Sequence, residues 1–168
     1  MRDPDFERMY AEHADGLFAF LAYRTGNRAL AEDLLADTFE RVLRSRRRFD
    51  PRRGKEKSWI YAIALNCLRD HQRRAGAETR ALERTGPDAG AAADADLLQV
   101  ERRDTVGRAM ELLAPEERDA VALRFGGDLT VPEVAKLLGE PLQRVEGRVY
   151  RALRKLRDAL DESDDPAG

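Results

Sequence analysis

Apolar positions recur along this chain at intervals of three and four, and strand-favouring runs of Val, Ile, Thr and Tyr are sparse. Phe6, Met9, Tyr10, Leu17, Phe20 and Leu21 keep near-helical spacing until Gly26-Asn27 breaks the run. A second helix follows, with Leu30, Leu34, Leu35, Phe39, Val42 and Leu43 on a broad apolar side. Glu32, Asp33, Asp37 and Glu40 are left to form its acidic face. After a basic loop containing Phe49 and Pro51, Ser58 caps a third predicted helix through Trp59, Ile60, Ile63, Ala64, Cys67 and Leu68, which ends at Arg73-Arg74.

Residues 75–96 change character: Leu82 is their only large apolar side chain, too little to offset the entropy of ordering, so they read as a flexible linker. Beyond it the rhythm resumes with Leu97, Leu98, Val100, Val106, Met110 and Leu113. Pro115 opens the next helix, whose Val121, Ala122 and Phe125 are expected to face inward before Gly126-Gly127 ends it. Thr130 and Glu133 then have capping-box spacing, and Val134, Ala135 and Leu138 form one apolar face before the Gly139 stop. Past Glu140-Pro141, a long helix carries Val145, Val149, Ala152, Leu153, Leu156 and Leu160 on one stripe. Its other face holds Arg144, Arg148, Arg151, Arg154, Lys155 and Arg157 against the acid Glu146. Cap, glycine turn and basic amphipathic helix together are a helix-turn-helix signature, which points to duplex DNA.

The fold expected is all-α: two small helical domains, residues 1–74 and 97–160, joined by the linker and followed by a disordered acidic tail over residues 161–168. A length of 168 residues suits that division, with a modest core in each half. The net charge of -2 conceals strong segregation. Acids crowd the N-terminal helices, linker and tail, whereas bases cluster over residues 44–57 and again in the last helix, two separate surfaces suited to nucleic acid. Cys67 is the single cysteine, which excludes an internal disulfide, and neither it nor the isolated His13 and His71 has zinc-site spacing. No phosphate-binding glycine loop, nucleophile-base pair or cofactor motif appears, so neither an enzyme nor a cofactor is expected. With no signal-peptide pattern and no apolar run near the roughly 20 residues that span a bilayer, the expected location is the cytoplasm, without membrane contact.

Three blocks carry a resemblance. Ala31-Glu32-Asp33-Leu34-Leu35 with Thr38-Phe39 and Val42 resembles the polymerase-binding helix of bacterial sigma factors. Ser58-Trp59-Ile60 with Ile63-Ala64, Asn66, Asp70 and Arg73-Arg74 is similar to their promoter-melting helix. Leu113-Ala114-Pro115-Glu116-Glu117-Arg118, Leu123-Arg124, Glu133-Val134-Ala135, Arg148 and Arg151-Ala152 are similar to their upstream-element reader. Their order and spacing fit the short two-domain version, the extracytoplasmic-function (ECF) type.

The resemblance implies a division of labour. Glu32, Asp33, Asp37 and Glu40 would meet core RNA polymerase, although Ala36 stands where the family commonly has Gln. Arg48, Arg53, Lys55, Lys57, Asn66, Arg73 and Arg74 would hold the melted minus-ten strand, with Asn66 at the position of the family's base-capturing residue. Trp59 either anchors the third helix against the first two, which its size favours, or stacks on a base. Thr130, Gln143, Arg144, Glu146, Gly147, Arg148, Arg151 and Lys155 would face the duplex minus-thirty-five element. Where the family usually shows Thr-Val-Lys-Ser-Arg, this chain has Arg144-Val145-Glu146-Gly147-Arg148, which either alters specificity or weakens the contact. An anti-sigma factor is a further partner the resemblance suggests. A helix-turn-helix regulator acting without polymerase and a sigma-like adaptor that binds only protein are the alternative readings.

Overall fold

In the computed structural model the described residues are 3–85 and 105–164. The first helix, α1 (Pro4–Thr25), starts where the Asp3 carboxylate accepts the Phe6 N–H at 3.2 Å and stops at Gly26, whose φ of 65° lies in the left-handed region. Asn27 then caps α2 (Arg28–Ser45) by accepting the Leu30 N–H at 3.0 Å. The expected break at Gly26-Asn27 is thus a paired stop and start. A 3₁₀ turn, Arg46–Arg48, leads into the basic loop and then α3 (Glu56–Thr85).

The third helix departs from expectation at both ends. Ser58 lies inside its first turn, since the Trp59 N–H already donates to the Lys55 carbonyl at 3.1 Å. At the other end α3 passes Arg73-Arg74 and takes in part of the expected linker. Polarity there signalled the absence of a buried face, which is a different thing from the absence of a helix. Ala75, Ala77, Glu78, Arg80, Ala81, Leu82 and Glu83 are strong helix formers, and together they absorb the roughly 1 kcal/mol that Gly76 costs. The remaining expected linker, Leu97, Leu98 and Val100, and residues 165–168 of the expected tail lie outside the described residues.

Helices α4 (Thr105–Met110), α5 (Pro115–Val121), α6 (Val131–Leu138) and α7 (Leu142–Ser163) form the second module. Pro115 opens α5 as expected, and α7 continues past Leu160. Between α5 and α6 the chain widens into a π turn, Ala122–Gly126, with the Gly127 N–H donating to the Ala122 carbonyl at 3.0 Å. That wider turn overturns one inward assignment. Val121, Ala122 and Leu123 are buried, but Phe125 is rotated outward and is 52% exposed. Leu153 likewise falls at the margin of its stripe and is exposed, while Val145, Val149 and Ala152 are buried.

The first module packs Leu17, Phe20, Leu21, Leu34, Val42, Ile60, Tyr61 and Leu68 into its core. Phe39 is covered by Tyr10 and Phe6, at centroid separations of 4.8 and 6.0 Å. The two modules do not hang apart on a tether, because the π turn lies directly on α1. A single buried cluster therefore includes Phe20 and Tyr61 of the first module and Leu123 and Leu129 of the second.

One ion-pair cluster ties α1 to the start of α3. Arg8 donates to both Glu56 oxygens, at 2.7 and 3.1 Å, and His13 Nε2 lies 2.9 Å from Glu56 Oε2. With Glu12 these side chains are the one metal-type grouping among the described residues, but Arg8 already engages both Glu56 oxygens. Hydrogen bonding from Arg8, helped by His13, holds the Glu56 carboxyl below the usual carboxylate range against the opposing effect of burial. The resulting stability is present above the unfolded value of about 4.3 and is lost as pH falls through the lower folded value. Glu56→Gln is expected to cost about 1 kcal/mol near neutrality. In thermal melts the gap between parent and variant should shrink at about pH 3; an unchanged gap would locate the effect elsewhere.

Candidate nucleic-acid and protein interfaces

Sequence periodicity sorts α2 into two faces, and the structure keeps them apart. Ala31, Leu34, Thr38, Phe39 and Val42 are buried, whereas Glu32, Asp33, Asp37 and Glu40 are exposed. Glu32 and Glu40 are partnered within the helix by Arg28 and Arg44. Asp33 and Asp37 instead line a cavity of about 280 Å³ between α2 and α3, together with Leu30, His71, Arg74 and Glu78. Arg74 therefore belongs beside the acidic face rather than with the other bases of α3. Arg73 is tied to Asp70, which also holds Arg41 at 3.1 Å, and these guanidiniums keep the Asp70 carboxyl below its ordinary range.

The basic loop is shaped by an aromatic pair. Phe49 and Trp59 pack in a tilted arrangement, with centroids 5.2 Å apart and an interplanar angle of 37°, and Trp59 is partly buried against the core margin. It thus packs both on the core and on the loop's own Phe49. This pair, with Arg48, Arg53 and Lys55, forms one wall of a cleft of about 440 Å³ whose opposite wall is Glu133, Lys136 and Leu137 of α6. Arg48, Arg53 and Lys55 are exposed. Ser58 and Ala62 continue the wall along α3, and Asn66, one turn further on the same face, is exposed. Lys57 is already engaged, donating to the Asp128 carbonyl at 3.1 Å. Aromatic faces beside cations are what an unstacked, negatively charged strand needs.

The helix-turn-helix is held by its own polar groups. Thr130 accepts the Glu133 N–H at 3.3 Å while Glu133 accepts the Thr130 N–H at 3.1 Å, closing the expected capping box. These bonds from Thr130 keep the Glu133 carboxyl below its usual range, and Lys55 and Lys57 add to the effect. Gly139, at φ 67°, makes the left-handed turn. Across that turn Arg148 grips both carboxylate oxygens of Glu140, and its side chain is only 12% exposed. Glu140 is an engagement that sequence reading missed, although its place in the turn eight positions before Arg148 was visible. Lys155 similarly donates to Glu117 Oε1 at 2.7 Å, fixing α7 on α5.

Gln143, Arg144 and Arg151 remain on the outer face of α7 and are exposed. Gly147 leaves room for Arg151, whose Nη1 would lie 3.1 Å from an added Cβ. Glu146 lies one edge away, at helical spacing with the exposed Tyr150 and Leu153. Glu140→Ala should strand a mostly buried guanidinium, lowering stability by about 1 to 3 kcal/mol and weakening duplex binding at the same time. A double-mutant cycle with Arg148→Ala checks this; additive losses would mean that the two groups act separately.

Comparison with known proteins identifies the family. Residues 9–78 match the Sigma-70 region 2 family and residues 109–158 match Sigma-70, region 4. The chain is similar to the RNA polymerase sigma factor CarQ of Myxococcus xanthus, at 35% identity over 94% of this chain and 90% of that one. Its fold is similar to the sigma factor RpoE of Bartonella quintana, solved with the anti-sigma factor NepR, at a TM-score of 0.77, 20% identity and coverage of 95% and 98% of the two chains. It is also similar to CnrH, solved with the cytosolic domain of CnrY, at a TM-score of 0.69, 25% identity and coverage of 98% and 92%. Two sigma regions in the expected order on one chain, helical in every regular element among the described residues, make the assignment: this protein belongs to the ECF RNA polymerase sigma factors, which bind core RNA polymerase, recognise promoter DNA and start transcription.

Proposed function

We propose that the three surfaces divide the sigma activity among named residues. Asp33 and Asp37, with Glu32 and Glu40 flanking them, face core polymerase. The acids of the central pair converge on one cavity rimmed by apolar Leu30 and Leu34, which suits an inserted basic side chain. Arg48, Arg53 and Lys55 track the melted minus-ten strand, Asn66 hydrogen-bonds an extruded base, and Trp59 with Phe49 supplies an apolar face beside it. Gln143, Arg144 and Arg151 read the minus-thirty-five element, with Glu146 at the flank of that contact. Thr130, Arg148 and Lys155 set the geometry: Thr130 caps α6, Arg148 braces the turn, and Lys155 fixes the recognition helix on α5.

The observation that carries this reading is the packing of Phe49 on Trp59 beside exposed cations of the loop, with Asn66 further along the cleft wall on α3. The protein acts by binding alone and is not itself an enzyme, so strand separation draws on binding energy. It works in the cytoplasm, where its polymerase is, and no helix among the described residues is long and apolar enough to cross a membrane. An anti-sigma factor is a further partner of this chain; the similar RpoE was solved in complex with one.

Run-off transcription with purified core polymerase tests the assignment. Asn66→Ala should reduce open-complex formation by about tenfold or more, a loss of about 1.4 kcal/mol, while leaving polymerase association intact. Asp37→Arg should do the reverse, weakening polymerase association in a pull-down with no change in helix content. Equal transcription by the parent and both variants would show that these side chains are merely solvated.

A further inference from the structure

The cleft beside the basic loop has a far wall that the roles assigned above leave unused. Arg48, Arg53 and Lys55 line its near side, and Lys136 and Leu137 of α6 line the opposite one. All four cations are exposed. A strand running from the loop along α3 to Asn66 gives Lys136 and Leu137 no part.

The acids of the cleft, Asp50 and Glu133, are turned to local partners. Asp50 Oδ1 accepts the Arg52 N–H at 2.9 Å, and Glu133 Oε1 accepts the Thr130 N–H at 3.1 Å and the Thr130 hydroxyl at 2.9 Å. The Thr130 bonds, and after them Lys55 reaching from the near wall, hold the Glu133 carboxyl below its ordinary range, so the two walls face each other at electrostatic distance. Four cations against two acids leave the lining with an excess of positive charge and of N–H donors. Its apolar lining is Phe49, Trp59, Ala62 and Leu137.

This combination narrows the class of ligand. A lone phosphate would leave the aromatic pair and Leu137 uncovered, and an uncharged ring would leave the cations unanswered. A flat ring carrying several phosphate charges satisfies both, by stacking on an aromatic face and by charge-assisted hydrogen bonds to guanidinium and ammonium groups. The volume of about 440 Å³ falls within the roughly 300–1,000 Å³ of small-molecule sites.

We propose that this cleft binds a free nucleoside polyphosphate, its base between the Phe49–Trp59 pair and Leu137 and its phosphates held by Arg48, Arg53, Lys55 and Lys136. The inference rests on the reading of the cleft as the minus-ten strand site and adds a competitor to it. A bound nucleotide occupies the aromatic face and loop cations that the melted strand uses, so the two exclude each other. At a nucleotide concentration ten times its dissociation constant, the strand's apparent affinity falls about elevenfold.

Trp59 is the only tryptophan, so fluorescence of the full chain reads the cleft directly. Titration with ATP or GTP is expected to change it saturably, with inorganic triphosphate and adenosine, each lacking half of the ligand, binding at least tenfold more weakly. Lys136→Ala should weaken nucleotide binding about tenfold with helix content unchanged, and Lys136→Arg should retain it. A single-stranded minus-ten oligonucleotide should displace the nucleotide, and Lys136→Ala should leave the oligonucleotide's own affinity unchanged. Absence of saturable nucleotide binding, triphosphate binding as tightly as ATP and GTP, or full nucleotide affinity in Lys136→Ala would overturn the proposal. Nucleotide binding that depends on Lys136 but resists displacement by the oligonucleotide would uphold the nucleotide site and overturn instead the placement of the melted strand in this cleft.

Discussion

The packing of the two modules depends on one close approach, the Gly126-Gly127 turn lying against the backbone of Ala19 and Phe20 and the ring of Tyr61. Each module by itself is small, and small domains leave much of their apolar surface uncovered. Seating the π turn on α1 merges the two cores, so that Leu123 and Leu129 share one buried cluster with Phe20 and Tyr61. Tyr61 is fully enclosed there, and burial pushes its phenol well above the ordinary range, so it stays a neutral donor to the Gly127 carbonyl. The Arg24–Asp119 pair adds selectivity more than net energy, because desolvating both partners offsets much of their attraction.

Charge is partitioned by whether it already has a partner. Arg8, Arg41, Arg148 and Lys155 are held by Glu56, Asp70, Glu140 and Glu117 and act as braces between elements. Arg48, Arg53, Lys55, Arg144 and Arg151 stand on open surface. Only the second set is free to exchange solvent and counterions for phosphate without first breaking an internal bond. The two sets alternate along α7, where Arg144 and Arg151 face outward while Arg148, between them, is turned back on Glu140.

Much of the fold could be read from local chemistry. The Gly26-Asn27 break, the Pro115 start, the Thr130–Glu133 box and the Gly139 turn are each decided by residues within four positions of one another, and the structure has all of them. What periodicity missed was non-local or off-period. Phe125 turned outward because a π turn widens the register, which a strict helical count does not anticipate. The extension of α3 was hidden because composition reports burial better than it reports helicity. The engagement of Arg148 and Lys57 depended on where distant segments come together, and neither partner could be chosen from spacing alone. The acidic face of α2 and the outer face of α7 were readable because both are solvent-facing sides of amphipathic helices.

The central claim is that the basic loop and the start of α7 contact two promoter elements about 25 base pairs apart. Site-directed cleavage measures this directly. Cys67 is the only cysteine and is buried, so a DNA-cleaving reagent can be attached selectively through Gly54→Cys or Gln143→Cys. In complexes with core polymerase, the first should cut around the minus-ten element and the second around the minus-thirty-five element, and neither should cut without polymerase. Cleavage by both at one shared location, or cleavage that ignores polymerase, would contradict the account.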